Sequence, residues 1–497
     1  MRRTASLLFL GSVISKGLGL VREVITAAFF GTGAVVASFR IALTGLLVPI
    51  NFLTTDALNY AFIPLFRHIS TQSRDKGQLL VWAVLVSAGI ASIFIGVALW
   101  CAATEWVKVL APGLDANTRE LTTVVLKTMT IGVPLYLISA VLSFVAMANG
   151  DFLPMSYRSG VQNVGLITGV TTAYWLRAPT LFSWGFTGSY FLFCSWVLIR
   201  EIRAGHLTPP KVGTASQLPE ILRLFWIAFR PLMPLPFLMQ GNIVVERMVA
   251  SLISLYSVSA LDYARFVSET LLTLVSVPVG SKGLVEWSGR GSLETSRNLR
   301  NVIPPVLLIG VPISTFIAAN PTLVVQAAFA RGAFGGDSIT VTAAILLGIS
   351  VGLWAQVLGY ILIYALSAQR RNRAVFRIMA ASLGANTAFD LLAYRHLGAL
   401  ALGLGNALYG LGLLLGALTA LGIWRESFRD SKMILLGGAL YVAISRCLPH
   451  LALGLWAHLA TVALGAVFFW GTWVAAVPTL RKLVVEWARR HQDGLDK

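Results

Sequence analysis

The sequence predicts an all-α, polytopic membrane protein of about fourteen transmembrane helices, arranged as two six-helix lobes plus two C-terminal helices. Of its 497 residues, 56% are hydrophobic and only 12% are charged, and the mean hydropathy is +0.76. Soluble domains carry about 25% charged residues. Apolar runs long enough for a bilayer-spanning helix recur along the chain. Transmembrane barrels would instead show alternation over segments of roughly 10 residues.

Hydropathy and turn residues divide the chain into predicted spans, an even number that places both termini on one side of the membrane. The predicted spans are 5–31, 34–66, 79–103, 119–148, 156–176, 182–200, 224–250, 258–281, 301–320, 338–368, 374–394, 398–423, 433–449 and 455–478. Most of the 39 Lys and Arg residues fall in the termini and in the loops on their side. The positive-inside rule therefore predicts cytoplasmic termini. The net charge of +18 then reflects topology and attraction to anionic lipids, and no nucleic-acid partner is predicted.

The two halves of the chain look related, and the polar segment 200–220 is the best candidate linker between them. Residues 21–40 align with 245–265, with a charged pair at the same place in each. Equal orientation of the copies predicts a parallel repeat, in which a transporter places its site at the interface of the halves. Chance similarity among apolar helices is the alternative. The predicted divisions are 1–205 with helices 1–6, 206–425 with helices 7–12, and 426–497 with helices 13–14 and a cytoplasmic tail.

Charged residues inside the predicted spans supply the candidate site. An ionisable group at the bilayer centre costs about 2.5–3.5 kcal/mol on insertion scales, so it marks a functional site by default. The basic groups here predict a cationic cavity for an anionic passenger. The candidate substrate-binding residues are Lys16, Arg22, Arg40, Arg247 and Arg265. The candidate charge-balancing or coupling residues are Glu23, Asp56, Glu246, Asp262 and Glu269.

Helical spacing indicates which sides of the first predicted helix its charged residues occupy. Lys16 and Glu23 are seven residues apart and share one face of the first helix, whereas Arg22 points about 120° away. One side of this helix could line a cavity while the other pairs with a neighbouring helix. Glu246 and Arg247 are adjacent and cannot face each other, so at least one of them needs a partner on another helix.

The eighth predicted span carries a second group of charges. Asp262, Arg265 and Glu269 follow each other at i, i+3 and i+7 and form one stripe. Since Arg265 could pair with either acid within the helix, a self-neutralised structural cluster is an alternative to a binding site. Asp390 lies near a span end, where snorkelling toward water is expected.

The basic residue types suit a phosphate-bearing anion. The planar fork of Arg donates two parallel hydrogen bonds to phosphate oxygens and stays charged when buried, and Lys adds a point charge. Neighbouring carboxylates would prevent excess positive charge in the empty site. They could also bind a proton or cation that resets a carrier, and coupling to the membrane potential is the other option.

Enzyme signatures are absent from the sequence. It has no GxxxxGK[ST] phosphate loop and no HExxH motif. Its three cysteines are widely separated and have no metal-ligand spacing. We therefore predict neither an enzyme nor a metal or cofactor site. A membrane glycosyltransferase would need catalytic residues in a large extracytoplasmic loop, and the longest predicted ones span only 104–118 and 321–337. A non-transporting scaffold, with all intramembrane charges paired, is the plainest alternative.

Motifs spread over residues 10–425 carry a family resemblance. The opening stretch S-K-G-L-G-L-V-R-E-V-I-T-A-A-F-F-G-T-G occupies residues 15–33. Further motifs are A-F-I-P (61–64), L-A-P-G (110–113), A-M-A-N (146–149) with Asn163, S-V-S-A-L-D-Y-A-R (257–265), A-F-A-R-G-A-F (328–334) and H-L-G-A-L-A-L-G-L-G-N (396–406). On these residues the sequence resembles the MurJ/MviN branch of the multidrug/oligosaccharidyl-lipid/polysaccharide exporter (MOP) superfamily.

The resemblance implies fourteen helices, a central cationic cavity and alternating access. It implies that lipid II, an undecaprenyl-pyrophosphate-linked peptidoglycan precursor, moves outward across the bacterial inner membrane. It also implies a multi-pass monomer that contacts membrane lipids, with a lipid-tail groove at helices 13 and 14. Arg22 matches a cavity Arg of the family, Lys16 falls where the family usually has Arg, and Glu23 stands in place of the usual Asp.

Three features depart from the family pattern. Ala37 stands where the family usually has Asp, Arg265 lies one position earlier than the family's eighth-helix Arg, and part of the second helix differs. The second helix usually has an Arg pair followed by E-G, whereas this chain has Pro49-Ile50-Asn51-Phe52 and then Thr55-Asp56. Arg40 is the candidate substitute for the missing Arg. The passenger could therefore be another polyprenyl-linked oligosaccharide, such as an exopolysaccharide or O-antigen-like unit. A multidrug antiporter fits less well because a cationic drug would favour acidic residues.

Overall fold

The computed structural model describes residues 2–54, 56–288, 292–447 and 454–485. Every regular element within these ranges is helical, which confirms the predicted all-α fold. The α-helices are α1 Arg2–Phe30, α2 Ala34–Thr54, α3 Asp56–Gln72, α4 Arg74–Cys101, α5 Ala103–Leu110, α6 Ala116–Thr130, α7 Val133–Ala148, α8 Leu153–Trp175, α9 Leu181–Arg203, α10 Leu218–Phe229, α11 Pro234–Ile253, α12 Leu255–Leu271, α13 Val277–Trp287, α14 Ser292–Ala319, α15 Pro321–Phe329, α16 Gly336–Ala368, α17 Asn372–Leu397, α18 Ala399–Leu421, α19 Trp424–Cys447 and α20 Leu455–Ala476.

Several predicted spans are formed by two consecutive helices. The pair α6 and α7 is bent by 46°, and the pair α10 and α11 by 50°. Each bend has a proline at its second helix. Pro134 has no N–H for the carbonyl of Thr130, where α6 ends, and Pro234 has none for Arg230, directly after α10. The eighth span is continuous instead, because α12 passes through a π-helical turn at Leu272–Ser276 into α13.

The polytopic membrane class is confirmed by length and composition. Seven helices in the described ranges are long and apolar enough to cross a membrane, or nine if each bent pair counts as one span. The predicted number of fourteen stays a prediction. Helices such as α1 and α12 carry the charged residues discussed above, and those charges lower their mean hydropathy.

The chain divides into two compact units. The first is Met1–Ser259 with Arg331–Phe334, and the second is Ala260–Ala330 with Gly335–Lys497. Their boundary falls inside α12 rather than in the predicted linker 200–220. The first unit therefore includes α10, which packs on α3 and α4, and α11, which packs on α2. The predicted lobes and repeat stay predictions.

Glycine lets helices approach closely within the first unit. There α1 packs on α8, α8 on α9, α2 on α6, and α4 on α7. A Cβ added at Gly165 would lie 2.6 Å from the carbonyl oxygen of Gly185, and one at Gly169 would lie 2.9 Å from the Cα of Gly185. Such contacts are too short for any side chain, so α8 and α9 pack backbone against backbone at these residues.

The second unit is built around α16, which packs on α18, α14 and α13. Glycines again allow close backbone packing where α16 contacts α18. A Cβ at Gly403 would lie 2.2 Å from the carbonyl oxygen of Ile345, and one at Gly352 would lie 2.5 Å from the Cα of Ala407. Most of α16 is buried, in keeping with its position at the centre of this unit.

Candidate functional site

The first unit brings Arg22, Glu23 and Arg40 into one ion cluster. The side chain of Glu23 is only 3% exposed. Its Oε1 accepts a hydrogen bond from Arg22, and its Oε2 lies 2.5 Å from Nη2 of Arg40. The side chains of Arg22 and Arg40 are 24% and 11% exposed. Two guanidinium groups therefore share one carboxylate within the helices.

The hairpin between α1 and α2 explains why Glu23 meets Arg40. The helix α1 ends at Phe30, and Gly31 adopts a φ of 58°, a left-handed conformation that glycine accepts without strain. The chain then reverses into α2 at Ala34. Glu23 lies about two turns before the reversal and Arg40 about two turns after it, so the two side chains lie at the same level.

The pairing of Arg22 with Glu23 differs from the expectation that these neighbours serve separate faces of α1. Helix geometry does separate their Cβ atoms by about 100°. The long Arg22 side chain nevertheless crosses the helix surface and reaches the carboxylate. Both residues therefore belong to one cluster, and the predicted division of α1 into a cavity side and a pairing side is wrong for them.

Asn163 on α8 completes the cluster, and the sequence did not single it out as a site residue. Its Oδ1 accepts a hydrogen bond from Nη1 of Arg22 at 2.9 Å, and its Nδ2 donates to the carbonyl of Ser15 at 3.0 Å. Asn163 is 8% exposed. The side chain thus joins α8 to α1 at two points and fixes the direction of the Arg22 guanidinium.

Lys16 lies on the same helix, one residue beyond Ser15, and is half-buried. Within the described ranges its ammonium group makes no ion pair and no side-chain hydrogen bond. It therefore adds a positive charge to α1 near the contact with Asn163. Asp56 begins α3, but its side chain lies outside those that the structure describes.

Arg247 is buried in α11 and has a partner on the next helix, as expected for the adjacent pair with Glu246. Its Nη1 donates a hydrogen bond of 2.7 Å to the carbonyl of Val258 on α12. Arg247 is 5% exposed and Glu246 is 1% exposed. The turn between the two helices, at Ser254, is extended and leaves backbone groups outside the helical ladder. Arg247 therefore links α11 to the start of α12.

Asp262, Arg265 and Glu269 lie on α12 within the second unit, whereas the Arg22 cluster belongs to the first. Asp262 and Arg265 are half-buried, and Glu269 is exposed. Their predicted stripe is present, because α12 is regular from Leu255 to Leu271. Their assignment to a binding site stays a prediction.

Asp390 contradicts the expectation that its carboxylate snorkels to water. It is 0% exposed on α17, near Asn386, which is 1% exposed. A Cβ at Gly405 of α18 would lie 2.1 Å from Oδ1 of Asp390. The glycine therefore leaves the space that the carboxylate occupies inside the unit. A glycine on a neighbouring helix cannot be paired with Asp390 from the sequence alone.

Arg158 is a further intramembrane cation that the sequence did not indicate as a site residue. Its guanidinium carbon lies 4.5 Å from the centre of the Tyr136 ring, a cation–π contact. Tyr190 packs against Tyr136 at 4.7 Å and donates a hydrogen bond of 2.9 Å to Oε1 of Gln162. The face of one aromatic ring thus holds this cation, whereas a carboxylate holds Arg22 and Arg40.

The fold is similar to that of solved membrane transporters. A solved lipid II flippase MurJ in an inward closed conformation matches with a TM-score of 0.80 at 18% identity, over 95% of this chain and 99% of that chain. The MATE transporter VcmN of Vibrio cholerae matches with a TM-score of 0.60 at 14% identity, over 88% of this chain and 100% of that chain. The chain therefore has the fold of the MOP superfamily.

Sequence comparison identifies the family to which the chain belongs. The family model described as lipid II flippase MurJ matches residues 26–477. A probable lipid II flippase MurJ from Synechocystis sp. is 23% identical over 421 residues, 79% of this chain and 76% of the relative. Another from Rhizobium meliloti is 25% identical over 467 residues, 86% of this chain and 84% of the relative. The chain belongs to the lipid II flippase MurJ family, which confirms the resemblance seen in the sequence.

Proposed function

We propose that this chain moves lipid II from the cytoplasmic to the outer leaflet of the bacterial inner membrane by alternating access. Membership of the MurJ family supports the transport class and the substrate. The observation that carries the proposal for this chain is the buried carboxylate of Glu23, which is shared by Arg22 and Arg40. Such a cluster holds two phosphate-binding cations inside the membrane without leaving both charges uncompensated.

The cluster suggests how a pyrophosphate would bind. A guanidinium donates two parallel hydrogen bonds to a carboxylate or a phosphate. In the structure Glu23 accepts hydrogen bonds from both arginines. A pyrophosphate carries more negative charge than one carboxylate and would replace Glu23 as the partner of Arg22, the more exposed of the two cations. Asn163 would keep Arg22 pointed toward the substrate during this exchange.

Other features of the proposal rest on the charge pattern. Lys16, Arg247 and Arg265 are proposed as further substrate contacts, and Glu246, Asp262, Glu269 and Asp56 as balancing or coupling groups. We infer that the chain transports without catalysing a reaction, works as a monomer without a cofactor, and keeps both termini in the cytoplasm. The energy source would be the membrane potential or a coupled cation.

Complementation of a strain depleted of its own lipid II flippase tests the proposal. We expect the wild-type chain to restore growth and outer-leaflet lipid II, measured with a degrading enzyme that cannot cross the membrane. Arg22→Ala and Arg265→Ala should each fail at normal membrane expression. Arg203→Ala, which removes an exposed arginine at the end of α9, is the matched control and should restore growth.

A second passenger is favoured by one observation, the stretch Pro49–Phe52 in place of the family's arginine pair. Loss of that cation would suit a glycan-lipid with fewer or differently placed charges. Wild-type protein that is well expressed but does not rescue lipid II depletion would support this candidate. Rescue of a strain that lacks its exopolysaccharide-unit flippase would then identify the passenger class.

A further inference from the structure

The second unit contains an apolar cavity that includes none of the residues proposed above to bind the pyrophosphate. It has a volume of about 480 Å³ and lies between α13, the middle of α14 and the segment that follows α20. Val279, Val302, Val306 and Leu483 are among the residues that form its walls. This volume lies within the roughly 300–1,000 Å³ of small-molecule pockets. The walls favour a hydrocarbon chain over a polar ligand.

The shape of the cavity depends on a glycine and a tryptophan one helical turn apart. Trp287 is 2% exposed and lines the cavity. A Cβ added at Gly283 would lie 2.2 Å from the Trp287 ring. Any larger residue there would push the indole away from α13. The glycine thus lets the indole fold flat against its own helix, which keeps the cavity open.

The rim of the cavity is polar and carries a cation. Lys282 lines the cavity with its ammonium group 3.7 Å from Glu286, and their side chains are 79% and 49% exposed. Such an exposed pair contributes little, about 0–1 kcal/mol, so Lys282 can readily change partner. On the opposite wall, Pro305 has no N–H for the carbonyl of Asn301. Asn301 therefore adds a backbone acceptor and a side-chain amide to the rim.

Further exposed cations lie beside the cavity in sequence. Arg481 and Lys482 directly precede Leu483, and Arg297 precedes Asn301 by one helical turn. Each basic residue near a membrane surface attracts anionic lipid by about 1 kcal/mol. An apolar cavity with a cationic rim matches an amphiphile that has one hydrocarbon chain to bury and a negative head group. We propose that this cavity binds an anionic glycerophospholipid, with one acyl chain inside and the phosphate beside Lys282.

Native mass spectrometry of the full-length, delipidated protein tests this inference without any transport measurement. The protein is titrated with phosphatidylglycerol, with phosphatidylcholine of the same acyl chains, and with undecaprenyl phosphate. We expect one phosphatidylglycerol to bind more tightly than phosphatidylcholine. Lys282→Gln should weaken phosphatidylglycerol about five-fold, the factor for about 1 kcal/mol, and should leave phosphatidylcholine unchanged.

Matched variants separate the cavity from general lipid binding. Lys211→Gln is the charge control, because Lys211 is also 79% exposed and pairs with a carboxylate, Asp75, in the first unit. It should bind lipid as the wild type does. Val302→Trp fills the cavity and should weaken both phospholipids, and Val279→Phe replaces it if the first variant does not fold. Equal binding of the two phospholipids in all variants would overturn the inference. Displacement of phosphatidylglycerol by equimolar undecaprenyl phosphate would also overturn it, since the cavity would then hold the polyprenyl tail.

Discussion

Replacing Glu23 by glutamine tests whether one carboxylate holds the intramembrane arginines together. Glu23→Gln keeps the size of the side chain and a carbonyl acceptor but removes the negative charge. Arg22 and Arg40 would then face each other across a neutral group in a buried position. Removing one partner of a buried ion pair costs about 3–5 kcal/mol, because the remaining charge loses its counter-ion. We expect a loss of stability in this range.

A double-mutant cycle separates the loss of the Glu23–Arg40 interaction from a general effect of the substitution on packing. Arg40→Gln leaves Glu23 bonded to Arg22, so it should cost less, about 1.5–3 kcal/mol for a hydrogen bond to a charged group. The double variant leaves Arg22 on Asn163 and should be little worse than Glu23→Gln alone. The two sites should therefore show a coupling of about 1–3 kcal/mol.

Thermal unfolding of the full-length protein in detergent provides the measurement. Roughly 2 °C per kcal/mol is expected for units of this size, so Glu23→Gln should lower Tm by about 6–10 °C. Glu105→Gln is the control, because Glu105 is 73% exposed and pairs with Lys108 at the surface. Its shift should stay below about 2 °C. The reasoning is refuted if Glu23→Gln shifts Tm no more than the control, or if the shifts of the two single variants simply add.

Four further outcomes are expected. Asn163→Leu removes both hydrogen bonds to α1, and outer-leaflet lipid II should appear about ten-fold more slowly while Tm falls by only a few degrees. Gly165→Val should lower Tm strongly by separating α8 from α9, whereas Gly188→Ala, with open space around it, should not. Arg247→Met should lower Tm because the carbonyl of Val258 loses this donor, with a smaller effect on transport by the folded fraction. Hydrogen bonds from the Thr118 side chain and from the Thr118 N–H, which caps α6, lower the pKa of Asp115. Their stabilisation is therefore present above the ordinary carboxyl pKa and is lost as pH falls through the lowered value. The Tm values of wild type and Asp115→Ala should therefore converge at low pH, and a constant difference would contradict this account.

Much of the fold could be predicted from the sequence because the bilayer leaves few choices. Apolar runs must become helices, since their backbone groups find no water in the hydrocarbon region. The positions of helix bends are harder to predict, because the sequence contains many prolines and only some of them end a helix. Pro134 and Pro234 stand at breaks, whereas Pro49 and Pro64 lie inside α2 and α3. Tertiary packing decides between these outcomes.

The cations of the candidate site could be predicted from the sequence, but the residues that pair with them could not. Arg22 and Arg40 stand out because a charge in an apolar run is costly. Their common partner depends on side-chain reach, which helical periodicity does not describe. Asn163 is one of several neutral polar residues in α8, and no sequence pattern distinguishes it from the others. Asp390 is buried by a glycine on another helix, a relation that only the structure shows.

The contacts of the buried arginines separate two kinds of cation in the first unit. Arg247 donates to a backbone carbonyl of α12, a group that stays in place as long as the two helices do. No incoming anion can displace that carbonyl without disturbing the turn. Arg22 and Arg40 instead share a side-chain carboxylate, which can rotate away when a more highly charged oxyanion arrives. An exchangeable partner is what a carrier needs, since it must hold its cations when empty and offer them when loaded. We therefore infer that Arg22 and Arg40 supply the main contacts to the passenger's pyrophosphate. Arg247, proposed above as a further contact, would mainly hold α11 to the start of α12.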